Sequence, residues 1–134
     1  MPSRTIFLSR LIGLYCLLLV PVEVIYRQAT LDSLSEFLHN PLLILVFGAI
    51  LLVAGLAMVL AHNIWSGGAL AVIVTVMGWL TLIKSLYFLY LPEVGAQYYL
   101  KALRDPLFYY LCIVMMLVIG IYLTYGGFRS KSLS

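Results

Sequence analysis

Charge is what this chain has least of. Charged residues fill 10% of its 134 positions, whereas soluble domains carry roughly a quarter. A chain so poor in ions cannot cover a water-facing exterior, which excludes an ordinary soluble domain. Cysteine is nearly absent too. Cys16 and Cys112 each stand alone inside an apolar run, read as small hydrophobes, and support neither a disulfide framework nor a metal site. The two histidines, His39 and His62, are far apart, and no His/Cys/carboxylate set has metal-ligand spacing. No metal and no cofactor is expected. Nucleotide-binding loops, nucleophile–base sets and paired catalytic carboxylates are missing as well, so no enzyme activity is expected. Eight basic against five acidic residues leave a formal net charge of +3, but they form no basic stripe, and a nucleic-acid partner is not expected.

What the chain does have is apolar length. Apolar residues make up 64% and mean hydropathy is +1.10. Four runs stand out: Thr5–Tyr26, Pro41–Ala61, Ala69–Leu91 and Pro106–Tyr125. Each reaches the roughly 20 residues that cross a hydrocarbon core of about 30 Å. None alternates as a barrel strand does, and only a helix satisfies its own backbone groups in lipid. The expected fold class is all-α, a polytopic membrane protein of four transmembrane helices in one domain spanning 1–134. Arg4 and Arg10 ahead of the first run imitate a signal peptide. No small-x-small site follows, so that run is expected to be a helix of the mature protein.

The two halves match at an offset of 65. Laying 5–65 on 70–130 puts Gly13 on Gly78, Pro41 on Pro106 and Gly55 on Gly120. The turn His39-Asn40-Pro41-Leu42 falls on Arg104-Asp105-Pro106-Leu107. Identities are few and Leu-rich segments match by chance; the coincidence of glycine, proline and cap residues in one order raises this above two ordinary hairpins. The expectation is a tandem pair of two-helix hairpins, repeat 1 about 5–65 and repeat 2 about 70–130, related by an axis along the membrane normal.

Four spans put both termini and the short link Ala61–Gly68 on one side. That side carries Arg4, Arg10, Arg129 and Lys131; the other carries Arg27, Lys101 and Arg104. The positive-inside rule then places both termini in the cytoplasm, and tyrosines such as Tyr26, Tyr87, Tyr99 and Tyr109 gather at the opposite, outer interface. Both outer connections show helical periodicity: Leu31, Leu34, Phe37 and Leu38 share a face, as do Ala96, Tyr99, Leu100 and Leu103. Short interfacial helices are expected there. Each meets an N-cap followed by proline, Asn40-Pro41 or Asp105-Pro106.

Two charges lie within the spans, Glu23 and Lys84. A charge at mid-helix costs about 2.5–3.5 kcal/mol on insertion scales, so such residues usually face protein or water and have partners. Under the repeat Lys84 corresponds to Leu19, one helical turn from Glu23, which puts Glu23 about 6 Å nearer the outer surface. A snorkelling lysine spans that distance, and a Glu23–Lys84 pair between the first and third spans is expected. A locking ion pair, separate snorkelling, a polar pathway for ions or a small solute, and a counter-ion from another subunit all remain open.

In the inner link, His62 and Asn63 read as caps for the second span, Trp65 as an interfacial anchor, and Gly67-Gly68 as the reversal. A histidine proton relay is the sharper alternative, but no carboxylate lies near His62 in sequence. Gly48, Gly55 and His62 recur every seven residues beside small neighbours, a close-approach seam within the bundle, or less plainly between copies. Gly13, Gly78 and Gly120 read likewise.

Leu60-Ala61-His62-Asn63-Ile64-Trp65, with Gly78-Trp79-Leu80 and Ile83-Lys84, resembles small uncharacterised bacterial four-span integral membrane proteins. The resemblance covers roughly the middle half of the chain and implies a bacterial inner-membrane origin without an activity. It marks His62, Asn63, Trp65, Trp79 and Lys84 for first attention. The functional expectation is a non-enzymatic small subunit or scaffold, in a homo-oligomer or with other membrane subunits, its surroundings the lipid bilayer. The alternative is a homo-oligomeric channel or small transporter with a polar route near Glu23 and Lys84. A third reading is a protein that binds a lipid or another hydrophobic ligand.

Overall fold

A computed structural model describes residues 3–130. Lys131, counted above in the charge balance, lies outside the described residues. Six helices follow one another: α1 Ser3–Ile25, α2 Arg27–Leu38, α3 Pro41–Ala61, α4 Ala69–Tyr90, α5 Pro92–Arg104 and α6 Pro106–Arg129. The described chain contains no strand. Four helices, α1, α3, α4 and α6, are long and apolar enough to cross a membrane. The fold class is therefore the expected one.

Local chemistry sets the boundaries. Asn40 Oδ1 accepts from the backbone N–H groups of Leu42 and Leu43 at 3.0 and 3.3 Å. Asp105 Oδ1 does the same for Leu107 at 3.1 Å. Each satisfies donors that a helix start leaves open, and the proline that follows lacks the N–H that would have gone unpaired. α2 begins four residues before the expected Leu31, and α5 at Pro92. Both start immediately after a spanning helix ends, with one residue, Tyr26 or Leu91, making the bend. α6 runs on past Gly126 and Gly127 to Arg129. A Cβ on Gly127 would sit 3.0 Å from Arg10 Cγ and 3.1 Å from the Arg10 nitrogen, so the glycine admits α1 closely. Arg10 Nε then donates to the Gly127 carbonyl at 2.9 Å, supplying one of the carbonyls at the end of α6 with a cationic partner.

Packing joins the halves. α1 packs chiefly on α6, α3 chiefly on α4, and α2 on α5, while α1 and α4 meet across the middle. The two hairpins are thus open, each filled by a span of the other. The central helices α1 and α4 have 33% of their most apolar stretch buried, the flanking α3 and α6 only 22%. Two apolar clusters lie where α2 and α5 cross the end of the bundle. Leu38, Ile44, Phe88, Ala96 and Leu100 form one; Val20, Leu31, Tyr109 and Ile113 form the other. A third, Leu70, Val74 and Leu123, seals the opposite end.

Candidate functional sites

The tightest polar assembly is at the link between α3 and α4. The chain leaves α3 at His62, whose backbone N–H still reaches the Met58 carbonyl at 2.8 Å. Gly67 and Gly68, with φ of 94° and 125°, turn it back in a conformation that L side chains avoid. This folds the His62 ring inward, where it is only 2% exposed. Its Nε2 lies 2.8 Å from Thr5 Oγ1 on α1, and its Nδ1 lies 3.1 Å from Thr75 Oγ1 on α4. The Thr75 hydroxyl also accepts from the Ile64 N–H at 3.0 Å and has the Ile64 and Ala71 carbonyls at 2.9 and 3.0 Å. With its one proton committed to a carbonyl, Thr75 accepts from Nδ1–H, and Nε2 accepts the Thr5 proton. We assign His62 that neutral tautomer on hydrogen-bond capacity. Burial lowers the His62 pKa from its ordinary value, although a backbone hydrogen bond opposes the shift. The ring joins α1, the link and α4.

Asn63 does not cap α3. Its Oδ1 accepts from two indoles, Trp65 Nε1 at 2.7 Å and Trp79 Nε1 at 3.3 Å. The amide thereby fixes both tryptophans at the exposed side of the link.

Glu23 and Lys84 lie farther along the bundle toward α2 and α5. The Lys84 ammonium donates to Tyr99 Oη at 3.1 Å and stands 4.8 Å from the centre of that ring, a cation–π arrangement. Its charge is near enough to act on Glu23. The Glu23 carboxylate nevertheless makes no hydrogen bond or ion pair with another described residue; only its backbone carbonyl is engaged, by Tyr109 Oη at 2.7 Å. Lys84 borders a cavity of about 530 Å³ beneath α2, together with Thr30, Ser33 and the aromatic rings Phe37, Phe47 and Phe88.

The glycines singled out by spacing sit at helix crossings inside the bundle. A Cβ on Gly13 would fall 2.6 Å from the Thr124 nitrogen, and one on Gly78 would fall 3.0 Å from Met58 Cβ and 3.6 Å from the Val59 nitrogen. On Gly55 it would meet the Leu82 nitrogen at 2.7 Å; on Gly120 it would meet Cys16 Cβ at 3.1 Å and Leu17 Cδ2 at 3.2 Å. Gly48 faces the Leu89 side chain at 2.8 Å. Contact across a crossing depends on sites far apart in sequence. For the same reason, Thr5 and Tyr99 were not identifiable beforehand as the partners of His62 and Lys84.

Comparison with protein-family models, with curated proteins and with solved structures finds no match. The class is defined by the fold alone: an all-helical, multi-pass membrane protein with two helical connectors across one end.

Proposed function

We propose that this chain is a non-enzymatic small subunit or scaffold of a larger membrane assembly, formed with further copies or with other membrane subunits. The observation that carries this reading is the shallow burial of its spans, 22% for α3 and α6. Large apolar side chains stand outward along these flanking helices, among them Ile50, Val53, Leu60, Val114, Val118 and Ile121, leaving wide surfaces for neighbouring helices or lipid. The polar node at His62 supports a structural role. Thr5 Oγ1 is in a fully buried residue (0% exposed), so the Thr–His contact is closed to a substrate. We further propose a bacterial inner membrane with both termini cytoplasmic, and an origin of the two halves by duplication. Several features support the duplication at an offset of 65. α2 and α5 begin at 27 and 92, and α3 and α6 at 41 and 106. The Gly13–Thr124 crossing recurs as Gly78–Val59, and Gly55–Leu82 as Gly120–Leu17.

The test is gentle solubilisation of a tagged chain at native abundance, followed by native mass spectrometry. A stoichiometric second chain or copy is expected; a lone, monodisperse monomer in lipid nanodiscs overturns the reading. One observation favours the second reading, a channel or small transporter. Glu23 is an intramembrane carboxylate without a direct partner among the described residues, and such groups often mark ion or proton paths. That reading requires flux through liposomes carrying the pure protein, altered by Lys84→Met, whereas a scaffold shows none.

A further inference from the structure

We infer that the cleft between the α1–α6 pair and the α3–α4 pair binds a soft monovalent metal ion of the Cu(I) class. The cleft has a volume of about 420 Å³ and receives side chains from all four spanning helices. Cys16 of α1, Met58 of α3, Met77 of α4, and Cys112, Met115 and Met116 of α6 line it. These are all the sulfur-bearing residues among positions 3–130. They come from positions spread over a hundred residues and converge on one space.

Methionine often fills irregular gaps in a core because its side chain is flexible. Gap filling alone gives no reason for every sulfur among the described residues to line one cleft. At the offset of 65 the six positions correspond to Thr81, Leu123, Ile12, Phe47, Ile50 and Leu51, none of which bears sulfur. Thr81 and Ile12 line the same cleft as the Cys16 and Met77 to which they correspond, so the sulfur set is not a product of the duplicated pattern.

Donor chemistry narrows the ligand. No group of three or more His, Cys, Asp or Glu residues able to hold a metal exists among the described residues, which leaves no imidazole and carboxylate set for a harder divalent ion. Thioethers and thiolates are soft donors, and a set in which four of six are methionine thioethers suits Cu(I). Thioethers are neutral, so a single positive charge in a low-dielectric setting needs an anion nearby. Glu23, the acidic residue of α1, stands seven residues, about two turns, beyond Cys16. The Lys84 ammonium is drawn to Tyr99. This carboxylate and the sulfur-lined cleft together make a setting suited to a monovalent cation.

The experiment uses the full chain in lipid nanodiscs under anaerobic reducing conditions, with Cu(I) offered in competition with the chromophoric chelator bicinchoninate. One ion per chain is expected, with X-ray absorption showing a shell of sulfur. Met58→Leu and Met115→Leu preserve side-chain size and are each expected to weaken binding by about tenfold or more, while His39→Gln leaves it unchanged. Failure to take Cu(I) from the chelator, a shell of nitrogen and oxygen, or equal affinity in the leucine variants overturns the proposal. The absorption measurement needs only the unaltered chain, so it decides the matter even if a variant fails to fold. Neither result depends on whether the protein has partner subunits.

Discussion

At the scale of single residues, the polar groups of this chain act mainly as fasteners between helices. His62 is held by Thr5 and Thr75, both 1% exposed or less. Removing the Thr5 hydroxyl with Thr5→Val leaves a buried ring nitrogen unsatisfied, which costs about 1–3 kcal/mol. A lower thermal unfolding midpoint in detergent is the expected result. The same ring gives a pH dependence with a defined sign. Burial lowers its folded-state pKa from the ordinary 6.5, so as pH falls past that value the unfolded chain takes up a proton that the folded chain refuses. Stability therefore declines on acidification through the ordinary histidine range and below it. The decline should be smaller in His62→Gln, which retains an amide but cannot titrate. A slope equal in the two proteins would refute a buried neutral histidine. The sequence marked His62, Asn63 and Lys84 as unusual, since each is polar within or beside an apolar run. It could not reveal their partners, because Thr5 is 57 residues away from His62 and one hydroxyl at the start of an apolar run carries no signal of its own.

At the scale of elements, the legible features were those with local causes. Asn40-Pro41 and Asp105-Pro106 start helices because the cap and the proline act within one turn. The four spans were evident because length and hydropathy are properties of continuous sequence. Connector starts were less legible: α2 begins at Arg27, ahead of its apolar face, because a helix-to-helix bend of one residue leaves no polar loop to mark it. The glycine positions were legible, but which helix each admits was not. The crossings also differ in what would obstruct them. On Gly55 an added Cβ meets the backbone of Leu82 at 2.7 and 2.8 Å, and on Gly13 that of Thr124; on Gly120 it meets side-chain atoms at 3.1–3.2 Å. Backbone cannot yield without moving the helix. Gly55→Ala and Gly13→Ala are expected to destabilise by about 1–3 kcal/mol, as overpacking does, and Gly120→Ala by less. Unfolding titrations in mixed detergent would rank them, and a reversed order would show that these helices separate easily.

At the scale of the whole molecule, the open hairpins decide how the fold depends on its two halves. Two hairpins closed on themselves would make each half a unit able to insert and persist alone. Here α1 rests on α6 and α3 on α4, so the principal contact of every span crosses between halves. The glycine crossings Gly13–Thr124 and Gly55–Leu82 cross in the same sense, and so does the Thr5–His62–Thr75 node for its α4 arm. A half expressed alone would insert, because hydropathy suffices for insertion, but its packing surfaces would face lipid without the small-residue partners that drive helix association in membranes. Splitting the chain within the exposed glycine turn, between Gly67 and Gly68, tests this directly. Each fragment alone should be lost rapidly to proteolysis in the cell. Co-expression should restore both, and they should co-purify through a tag on only one. Persistence of either fragment without the other would mean that the cross-half packing contributes little, and that the hairpins are self-sufficient after all.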